Sequence, residues 1–490
     1  DKQSLGFGYA KRWYASRQPD YFTDIFQANF AIFKYLTDRQ ERIWNIGLAT
    51  VYCKKGSFSK SVEFPPGQRQ NVLNQWDDGT LVISNQMHVW VFTPEELLKT
   101  DRLTPQNAYA ALPPNTAQVS LFVKVITGSV WAATQGYGLL KFNPRTRQFR
   151  SFLSGYSPAA LLQSRAGEIY FHANYLPSYN IFKLNAASGA VTPLPIAPSG
   201  KYYGHDALLQ DRQAQFWLLY NKGNGAERYL MKFTKEWQPL KKYAVSSTLR
   251  VPVDYSCRMS EDKNGSIWLG LANGELLRFN PLTEQFESHS YRSLLPQSGS
   301  IVQTYALYPE ANGTLWIATQ KGLVKMENFP GRPKFSIYKN SKTDRQSLSN
   351  DFVSGMINDP LRPENYLWVS TKGGGLERLN KQTGHFEHFT ETRGLPNKVV
   401  YGILQGDDNN LWMSTNRGIA CLNPKTLIFT SFNKSDGLQD DEFNTNSYFK
   451  APSGELMFGG INGITVFSAS AVAGNKNKPT ARIIDLKVNN

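Results

Sequence analysis

Histidine and cysteine are the side chains of this 490-residue sequence that could bind a metal ion or act as nucleophiles. The three cysteines, at positions 53, 257 and 421, are far apart and form neither a CxxC pair nor a disulfide framework. His385 and His388 lie three residues apart in "GHFEHF", which has a strand pattern, so their side chains should point to opposite faces. We therefore predict exposed strand histidines, no metal site and no cofactor.

Asp262 could belong to an enzyme, because "SEDKNGSIW" (residues 260–268) resembles the Asp-box turn of sialidases. The segment is one residue too long between Asp262 and Gly265, however, and no arginine triad with a Tyr/Glu pair can be assigned. HExxH, P-loop and GxSxG motifs do not stand out either. We predict that Asp262 caps its own turn and that this segment is not an enzyme.

The basic residues give the chain a formal net charge of +15. Such a charge favours acidic partners, and it is equally typical of a generally basic, soluble surface. We do not expect nucleic acid as a partner, because the Lys and Arg residues form no run and no nucleic-acid-binding module is recognisable. No stretch approaches the ~18 apolar residues of a membrane helix, so we expect membrane attachment only through segments outside this sequence.

A motif with a polar turn, a tryptophan, a small polar pair and a glycine recurs along the chain. It reads "NGSIWLGLANGELLRFNP" from Asn264, "NGTLWIATQKGLVK" from Asn312 and "NNLWMSTNRGIACLNP" from Asn409. The tryptophan position occurs in ten units, 38 to 52 residues apart, at Trp44, Val82, Trp131, Tyr170, Trp217, Trp268, Trp316, Trp368, Trp412 and Met457. This spacing is typical of a four-stranded propeller blade.

Each unit has the pattern of four short strands. Asn, Asp or Gly ends the first strand, the second strand alternates around the tryptophan, and glycine and Asn-Pro turns precede the third and fourth. Radial stacking of such blades buries both faces of every sheet. We predict that the tryptophans form the core between blades and not a row that stacks on a ligand.

Ten blades exceed the roughly four to eight of a usual ring. We predict an all-β protein in which residues 156–473 form a seven-bladed β-propeller of four-stranded blades. Residues 1–155 then hold about three blades of a first propeller. The chain is expected to begin within a repeat, because "DKQSL" at residues 1–5 nearly repeats "DRQSL" at residues 344–348.

These units resemble the two-component regulator propeller repeat. The segment "DGLQDDEFNTNSYFKAPSGELMFGGINGITVFSASAV" (residues 436–472) is similar to the last sensor blade of hybrid two-component and related sensor histidine kinases of Bacteroidetes-type bacteria. The following "KPTARIIDLKVNN" (residues 478–490) resembles the first strand of the immunoglobulin-like domain in that family. We therefore expect residues 474–490 to begin such a domain.

The resemblance implies the periplasmic sensor region of an inner-membrane receptor. In that family two seven-bladed propellers lie outside the inner membrane, an immunoglobulin-like domain leads to a membrane helix and a cytoplasmic kinase, and the usual ligands are oligosaccharides. We expect an oligosaccharide ligand and a homodimer. Two alternatives stay open: a propeller lyase of the streptogramin B lyase type, and a scaffold propeller for protein partners.

Strand order predicts which loops share a face. Loops between second and third strands should lie with the connectors between blades, because successive antiparallel strands reverse direction. Aromatic faces hold sugars and cations hold acidic groups, so these loops suggest an oligosaccharide, and an acidic one is favoured by their Lys and Arg residues. The predicted ligand-binding residues are Tyr203, His205, Tyr255, Gln303, Lys321, Lys372, Lys398, Arg417 and Asn444.

Overall fold

The computed structural model divides the chain into two compact units, residues 1–146 and 147–490. It describes residues 34–38, 40–46, 50–64, 72–76, 79–85, 88–103, 108, 110–111, 118–124, 130–135, 138–142, 148–173, 181–185, 190–194, 208–222, 227–245, 257–296 and 301–472. The predicted start of an immunoglobulin-like domain, residues 474–490, lies outside these ranges.

The described strands of the first unit form three antiparallel sheets. The first contains β1 Lys34–Thr37, β2 Ile43–Ile46, β3 Thr50–Lys55 and β4 Phe58–Glu63. The second contains β5 Val72–Gln75, β6 Leu81–Ser84, β7 His88–Phe92 and β8 Ala110–Ala111. The third contains β9 Gln118–Lys124, β10 Val130–Gln135 and β11 Gly138–Phe142.

The described strands of the second unit form seven four-stranded antiparallel sheets, which we call blades 1 to 7. Blade 1 contains β13 Pro158–Gln163, β14 Ile169–Ala173, β15 Ile181–Leu184 and β16 Val191–Pro193. Blade 2 contains β17 Leu208–Gln210, β18 Phe216–Lys222, β19 Glu227–Phe233 and β20 Pro239–Val245. Blade 3 contains β21 Arg258–Glu261, β22 Ile267–Gly270, β23 Glu275–Asn280 and β24 Gln285–Ser290.

The next three blades repeat this order. Blade 4 contains β25 Thr304–Pro309, β26 Leu315–Thr319, β27 Gly322–Glu327 and β28 Lys334–Tyr338. Blade 5 contains β29 Val353–Asn358, β30 Tyr366–Thr371, β31 Gly375–Asn380 and β32 Phe386–Phe389. Blade 6 contains β33 Val400–Gln405, β34 Leu411–Thr415, β35 Gly418–Asn423 and β36 Ile428–Phe432.

Blade 7 takes its strands from both ends of the unit. Its first three strands are β37 Phe443–Lys450, β38 Leu456–Gly460 and β39 Gly463–Phe467, and its outer strand is β12 Arg150–Phe152. The first strands of successive blades lie against each other from blade 1 to blade 7, and β37 contacts β13. The blades therefore close into a ring whose edges are protected, which confirms the predicted all-β propeller architecture. The closing strand β12 precedes residue 156, where the sequence places the start of this propeller.

Helices are few and short in the described ranges. The α-helix α1, Pro94–Leu98, begins after Thr93, whose hydroxyl oxygen accepts a hydrogen bond from the Glu96 backbone N–H. Short 3₁₀ turns occur at Ala272–Gly274, Arg292–Leu294, Glu391–Arg393, Lys434–Asp436 and Ala469–Ala471. None of the helices described has the length and the apolar character that spanning a bilayer requires.

An aspartate and a tryptophan form the same contact in several repeats. In blade 3, Asp262 Oδ1 accepts hydrogen bonds from the backbone N–H groups of Asn264 (2.8 Å) and Ser266 (3.0 Å), and Oδ2 accepts one from Trp268 Nε1 at 3.0 Å. The prediction that Asp262 caps its own turn is thereby confirmed. The same indole-to-carboxylate bond joins Trp44 to Asp38, Trp217 to Asp211, Trp368 to Asp359 and Trp412 to Asp408.

Blade 4 departs from this pattern at Glu310, which stands where blade 3 has Asp262. The Glu310 carboxylate pairs with Lys381 of blade 5, and Lys381 also donates to Asn358 Oδ1 at 2.8 Å. The indole N–H of Trp316 is fully buried and has no acceptor among the described residues. The longer Glu310 side chain therefore joins two blades instead of closing its own turn.

The described tryptophans of the repeat lie in the core between blades, as predicted. Trp217 of blade 2 packs in one cluster with Leu269 of blade 3, and Trp316 of blade 4 packs with Val369 of blade 5. The buried tryptophan side chains of the repeat are Trp44, Trp217, Trp268, Trp316, Trp368 and Trp412.

Candidate ligand-binding site

Loops between second and third strands lie against the connectors that lead into the next blade. The N–H groups of Gly322, Gly375 and Gly418 donate to the carbonyls of Asp351 (2.8 Å), Lys398 (2.9 Å) and Asp441 (2.6 Å). These elements therefore share one end of blades 4 to 7, the connector face, which comprises residues 320–321, 339–352, 372–374, 390–399, 416–417 and 433–442. The hairpin loops 262–266, 310–314, 359–365 and 406–410 lie at the opposite end, the turn face.

Three threonines give the second-to-third loops of blades 4, 5 and 6 a common frame. The hydroxyls of Thr319, Thr371 and Thr415 donate to the carbonyls of Gly322 (2.8 Å), Gly375 (3.0 Å) and Gly418 (2.8 Å). The same hydroxyl oxygens accept bonds from the backbone N–H groups of Lys321, Gly374 and Arg417. Lys321 and Arg417 are thus equivalent to each other and to a glycine of blade 5.

Gln320, Lys372 and Asn416 occupy the position that follows each of these threonines. Each donates its backbone N–H to the carbonyl of the residue that precedes the first strand of its own blade: Gln303 (3.3 Å), Phe352 (2.9 Å) and Val399 (3.2 Å). Gln320 donates its side-chain amide to the Ile301 carbonyl, and Asn416 Oδ1 accepts a bond from the Tyr401 hydroxyl at 3.0 Å. Lys372 is thus the one charged residue at three equivalent positions.

Aromatic rings from three consecutive blades surround the ammonium group of Lys372. Its Nζ lies 4.6 Å from the ring centroid of Phe352, 5.3 Å from that of Tyr401 and 5.6 Å from that of Tyr305. The rings of Tyr305 and Phe352 are themselves 4.8 Å apart. We call these four half-buried side chains the Lys372 cage. Rings at these distances attract a cation through their negative faces.

β-Bulges place two of the three rings. The register of the first strand shifts between Thr304 and Ala306 in blade 4, and between Val400 and Gly402 in blade 6. Tyr305 and Tyr401 are the extra residues at these shifts, and a bulge re-aims the side chain of its extra residue. They reach Lys372 from the blades on either side of it.

The cage removes Lys372 from water without giving it a negative partner. Burial lowers the pKa of its ammonium group to about 8, so the group is mostly charged at pH 7. Within the part of the chain that the structure describes, no carboxylate forms an ion pair with Lys372. Among the described residues, three aromatic rings surround this charge.

A second cation lies beside the cage. Arg258 is buried, and its Nε donates to the Tyr305 carbonyl at 2.7 Å. Burial lowers the pKa of this guanidinium to about 9, which leaves it charged at neutral pH. Tyr448 packs on the first strands of blades 5 and 6, where a Cβ on Gly355 would lie 2.8 Å from its hydroxyl and one on Gly402 would overlap its ring. Glycine at both positions therefore lets the ring of Tyr448 lie next to the cage.

A buried carboxylate holds the connector that carries Phe352. Glu377 is fully buried, and it accepts hydrogen bonds from Ser349 of the connector and from His388 Nδ1 of β32. The other nitrogen, His388 Nε2, bonds to the Arg345 carbonyl at 2.8 Å. The bond to Glu377 raises the pKa of His388 to about 9, whereas burial raises the pKa of Glu377. The prediction of two exposed histidines is correct for His385 but wrong for His388, because His388 is half-buried against Glu377.

The structure separates the predicted cations into different environments. Lys372 lies in the cage, while Lys321 and Arg417 occupy the next position along their loops, where Arg417 is exposed. Lys398 lies 3.8 Å from the carboxylate of Glu391. These four residues share the connector face without forming one ring of equivalent charges.

The predicted polar and aromatic ligand-binding residues lie in different places. Gln303 accepts a hydrogen bond from the Tyr305 hydroxyl at 2.6 Å, which places it at the edge of the cage. The amide of Asn444 donates to Ser157 Oγ (3.0 Å) and to the carbonyls of Pro158 (2.7 Å) and Gly460 (3.0 Å), so it braces blade 7 against blade 1. Tyr203, His205 and Tyr255 lie outside the described residues.

Sequence reasoning missed the three rings of the cage. Tyr305, Phe352 and Tyr401 stand at or just before first strands in "QTYAL", "NDFVS" and "VVYGI". The recurrence of an aromatic residue at this point of the repeat could have indicated these rings from the sequence. A strand pattern alone does not reveal the bulges that turn two of these rings toward a neighbouring blade.

The chemistry of this arrangement is that of binding. The cage offers ring faces, tyrosine hydroxyls, the Gln303 side chain and one ammonium group at the inner strands of the ring. Among the residues described, no three His, Cys, Asp or Glu side chains are grouped so that they could hold a metal ion. Cys53, Cys257 and Cys421 are buried, and burial raises the pKa of each thiol, which is typical of inert cysteines.

Comparison with known proteins finds similarity to two-component sensor propellers. Residues 394–417 match the family model of the two component regulator propeller. Over 244 residues the chain is 26% identical to Histidine kinase P4 from Formosa agariphila, an alignment that covers 49% of this chain and 17% of the kinase. The chain thus spans about a sixth of the length of that relative.

The fold is similar to that of a solved extracellular sensor domain. The extracellular domain of a hybrid two component system from B. thetaiotaomicron superposes with a TM-score of 0.62 at 17% identity, covering 89% of this chain and 56% of that one. A catalytically inactive virginiamycin B lyase from Staphylococcus aureus superposes with a TM-score of 0.46 at 16% identity, covering 65% of this chain and 98% of the lyase. The family match, the kinase relative and the sensor-domain fold together confirm the predicted resemblance to sensor propellers of two-component systems.

Proposed function

We propose that this chain is the extracytoplasmic ligand-sensing region of a signalling receptor. It carries a two-component regulator propeller repeat, and its fold is similar to that of a sensor domain. Its ligand is an oligosaccharide that binds on the connector face over the Lys372 cage. The observation that carries this proposal is that three half-buried aromatic rings, from blades 4, 5 and 6, surround Lys372.

The cage has the composition of a sugar site. Aromatic faces stack on the C–H faces of a pyranose, and a few polar groups then fix its orientation. The hydroxyl of Tyr305 and the side chain of Gln303 are already hydrogen-bonded to each other, as are Tyr401 and Asn416, so these groups are held in place before a ligand arrives. Such preorganisation reduces the entropy lost on binding.

The signalling part of the proposal concerns the whole receptor. The sensor region lies in the periplasm, an immunoglobulin-like domain follows it, and a histidine kinase beyond the membrane carries the output. The receptor acts as a homodimer. The similarity to Histidine kinase P4 and to the extracellular domain from B. thetaiotaomicron supports the kinase output and the extracytoplasmic location.

Calorimetric titration of the purified chain with a panel of oligosaccharides tests the binding step. We expect one oligosaccharide class to bind without turnover. Phe352→Ala or Tyr401→Ala should weaken its binding about tenfold or more, since truncating an anchoring aromatic residue costs about 2 kcal/mol or more. Tyr366→Ala is the matched control, because Tyr366 begins β30 at the turn face of blade 5. Ligand turnover would favour the lyase alternative, and equal effects of all three substitutions would place the ligand elsewhere.

A further inference from the structure

Lys372 is half-buried and pairs with no carboxylate among the residues that the structure describes, whereas three other lysines of blades 5 and 6 and their connectors have one nearby. Lys381 pairs with Glu310, Lys398 lies near Glu391 and Lys434 pairs with Asp440 at 2.8 Å. Lys372 instead meets three rings, and no described carboxylate pairs with it. A charged group that is half-buried without an opposite charge costs stability, so its presence calls for a reason other than folding.

The fold itself does not require a lysine at this position. Blades 4 and 6 form the same backbone hydrogen bond at this position with Gln320 and Asn416, in loops that are one residue shorter than that of blade 5. The side chains of both residues are neutral amides and form hydrogen bonds within their own loops. Compared with these neutral amides, Lys372 introduces a positive charge, and it does so only in blade 5 of the three blades compared.

The surroundings of Lys372 are suited to an anion. Arg258 is a second buried cation, and it bonds to the backbone carbonyl of Tyr305, the residue that supplies one of the rings. Two cations in a place of reduced hydration raise the local potential, and an opposite charge gains more there than at a wet surface. The rings next to them provide flat, apolar faces of the size of a pyranose.

We infer that the sugar residue seated in the Lys372 cage is anionic, and that its carboxylate or sulfate group binds the Lys372 ammonium while its ring stacks on the aromatic side chains. This inference rests on the proposed function, and it narrows the ligand to acidic oligosaccharides. Uronates and sulfated sugars share the chemistry that the cage recognises. Arg417 at the outer loop position contributes only weakly, as exposed charges do.

Three oligosaccharides with the same backbone separate these possibilities: one neutral, one with a uronate and one with a sulfate. Each is titrated calorimetrically into the wild-type chain, Lys372→Gln, and the control Lys425→Gln, an exposed lysine in the loop between β35 and β36 at the turn face of blade 6. Lys372→Gln copies the residue of blade 4, so we expect it to fold, and its melting temperature checks this. The acidic ligand should bind the Lys372→Gln chain about 10- to 100-fold more weakly, because hydrogen bonds to charged groups contribute roughly 1.5–3 kcal/mol. The control should change binding less than about threefold.

The outcomes distinguish this inference from the proposed function. Tight binding of the neutral oligosaccharide that Phe352→Ala weakens and Lys372→Gln leaves unchanged would overturn the inference and leave the sensor proposal standing. Sodium benzoate, which carries a ring and a carboxylate but no sugar, provides an independent probe by thermal shift. Stabilisation of the wild type by benzoate but not of Lys372→Gln would support the anion site even if no oligosaccharide binds. If neither benzoate nor either acidic oligosaccharide binds, the inference is wrong.

Discussion

The turn face and the connector face of the second unit use charged side chains in different ways. On the turn face, Asp262 accepts two backbone hydrogen bonds and the indole N–H of Trp268, so its charge closes a loop and fixes the core. On the connector face, Lys372 lies among rings and pairs with no described carboxylate. An aspartate equivalent to Asp262 occurs in several blades, while a lysine equivalent to Lys372 occurs in neither blade 4 nor blade 6.

This difference separates residues that build the fold from residues that are available for a ligand. A contact that stabilises the fold is repeated, as the Asp–Trp bond is in blades 2, 3, 5 and 6. Lys372 differs from its structural equivalents Gln320 and Asn416, so the fold does not require a lysine side chain at this position. The same frame therefore supports a stable ring and a specific site.

The largest expected effect is on the turn face. Asp262→Ala removes the acceptor of two backbone N–H groups and of the buried Trp268 indole, so we expect the free energy of unfolding to fall by about 3 kcal/mol. Urea denaturation followed by tryptophan fluorescence measures this loss. Asp344→Ala is the control, because Asp344 is exposed and its carboxylate accepts one described hydrogen bond, from the Gln346 N–H. Equal losses in the two variants would contradict the structural role of Asp262.

A smaller loss is expected where the connector is held. His388→Gln leaves the buried carboxylate of Glu377 without its cation, and we expect about 2 kcal/mol of destabilisation at pH 6. The pKa of His388 is raised from 6.5 to about 9, so this contribution is fully present below pH 6.5 and is lost as pH rises through about 9. The difference between wild type and variant should therefore shrink between pH 6 and pH 9.5 in urea denaturation. His385→Gln, at an exposed position, should show no such change.

Removing the charge of Lys372 should stabilise the protein, in contrast to removing His388. Lys372→Met removes a desolvated charge, so we expect the variant to be about 1 kcal/mol more stable than the wild type at pH 7. The pKa of Lys372 is lowered from 10.5 to about 8, so the cost of its charge is full below pH 8 and disappears as pH rises toward 10.5. Melting temperatures across this pH range check the shrinking difference. A destabilised variant at pH 7 would show that the cage needs its lysine for folding.

The smallest effect compares two tryptophans within the repeat. Trp268 donates its indole N–H to Asp262 at 3.0 Å, while the indole N–H of Trp316 has no described acceptor. Both side chains are buried, so replacing either by Phe leaves a similar cavity. We expect Trp268→Phe to cost about 1 kcal/mol more than Trp316→Phe in urea denaturation, because it also loses a hydrogen bond. Equal costs would mean that the Asp–Trp bond adds no net stability.

The sequence by itself determined the repeat and most of what the repeat builds. The recurring tryptophan, the polar turn before it and the glycine after it are local signals, and each governs a backbone shape or a buried surface within one blade. They predicted four-stranded blades, a core of tryptophans between them and the capping role of Asp262. They also placed Lys372 on a loop that faces the connectors.

The tertiary structure alone decided how the site is assembled. Tyr305, Phe352 and Tyr401 come from three blades, and bulges in first strands direct two of these rings toward Lys372. The pairing of His388 with Glu377 likewise depends on packing between β31 and β32 and on a connector 28 residues away. Such contacts depend on which blades lie side by side and on single-residue shifts in strand register, neither of which a local pattern of residues specifies.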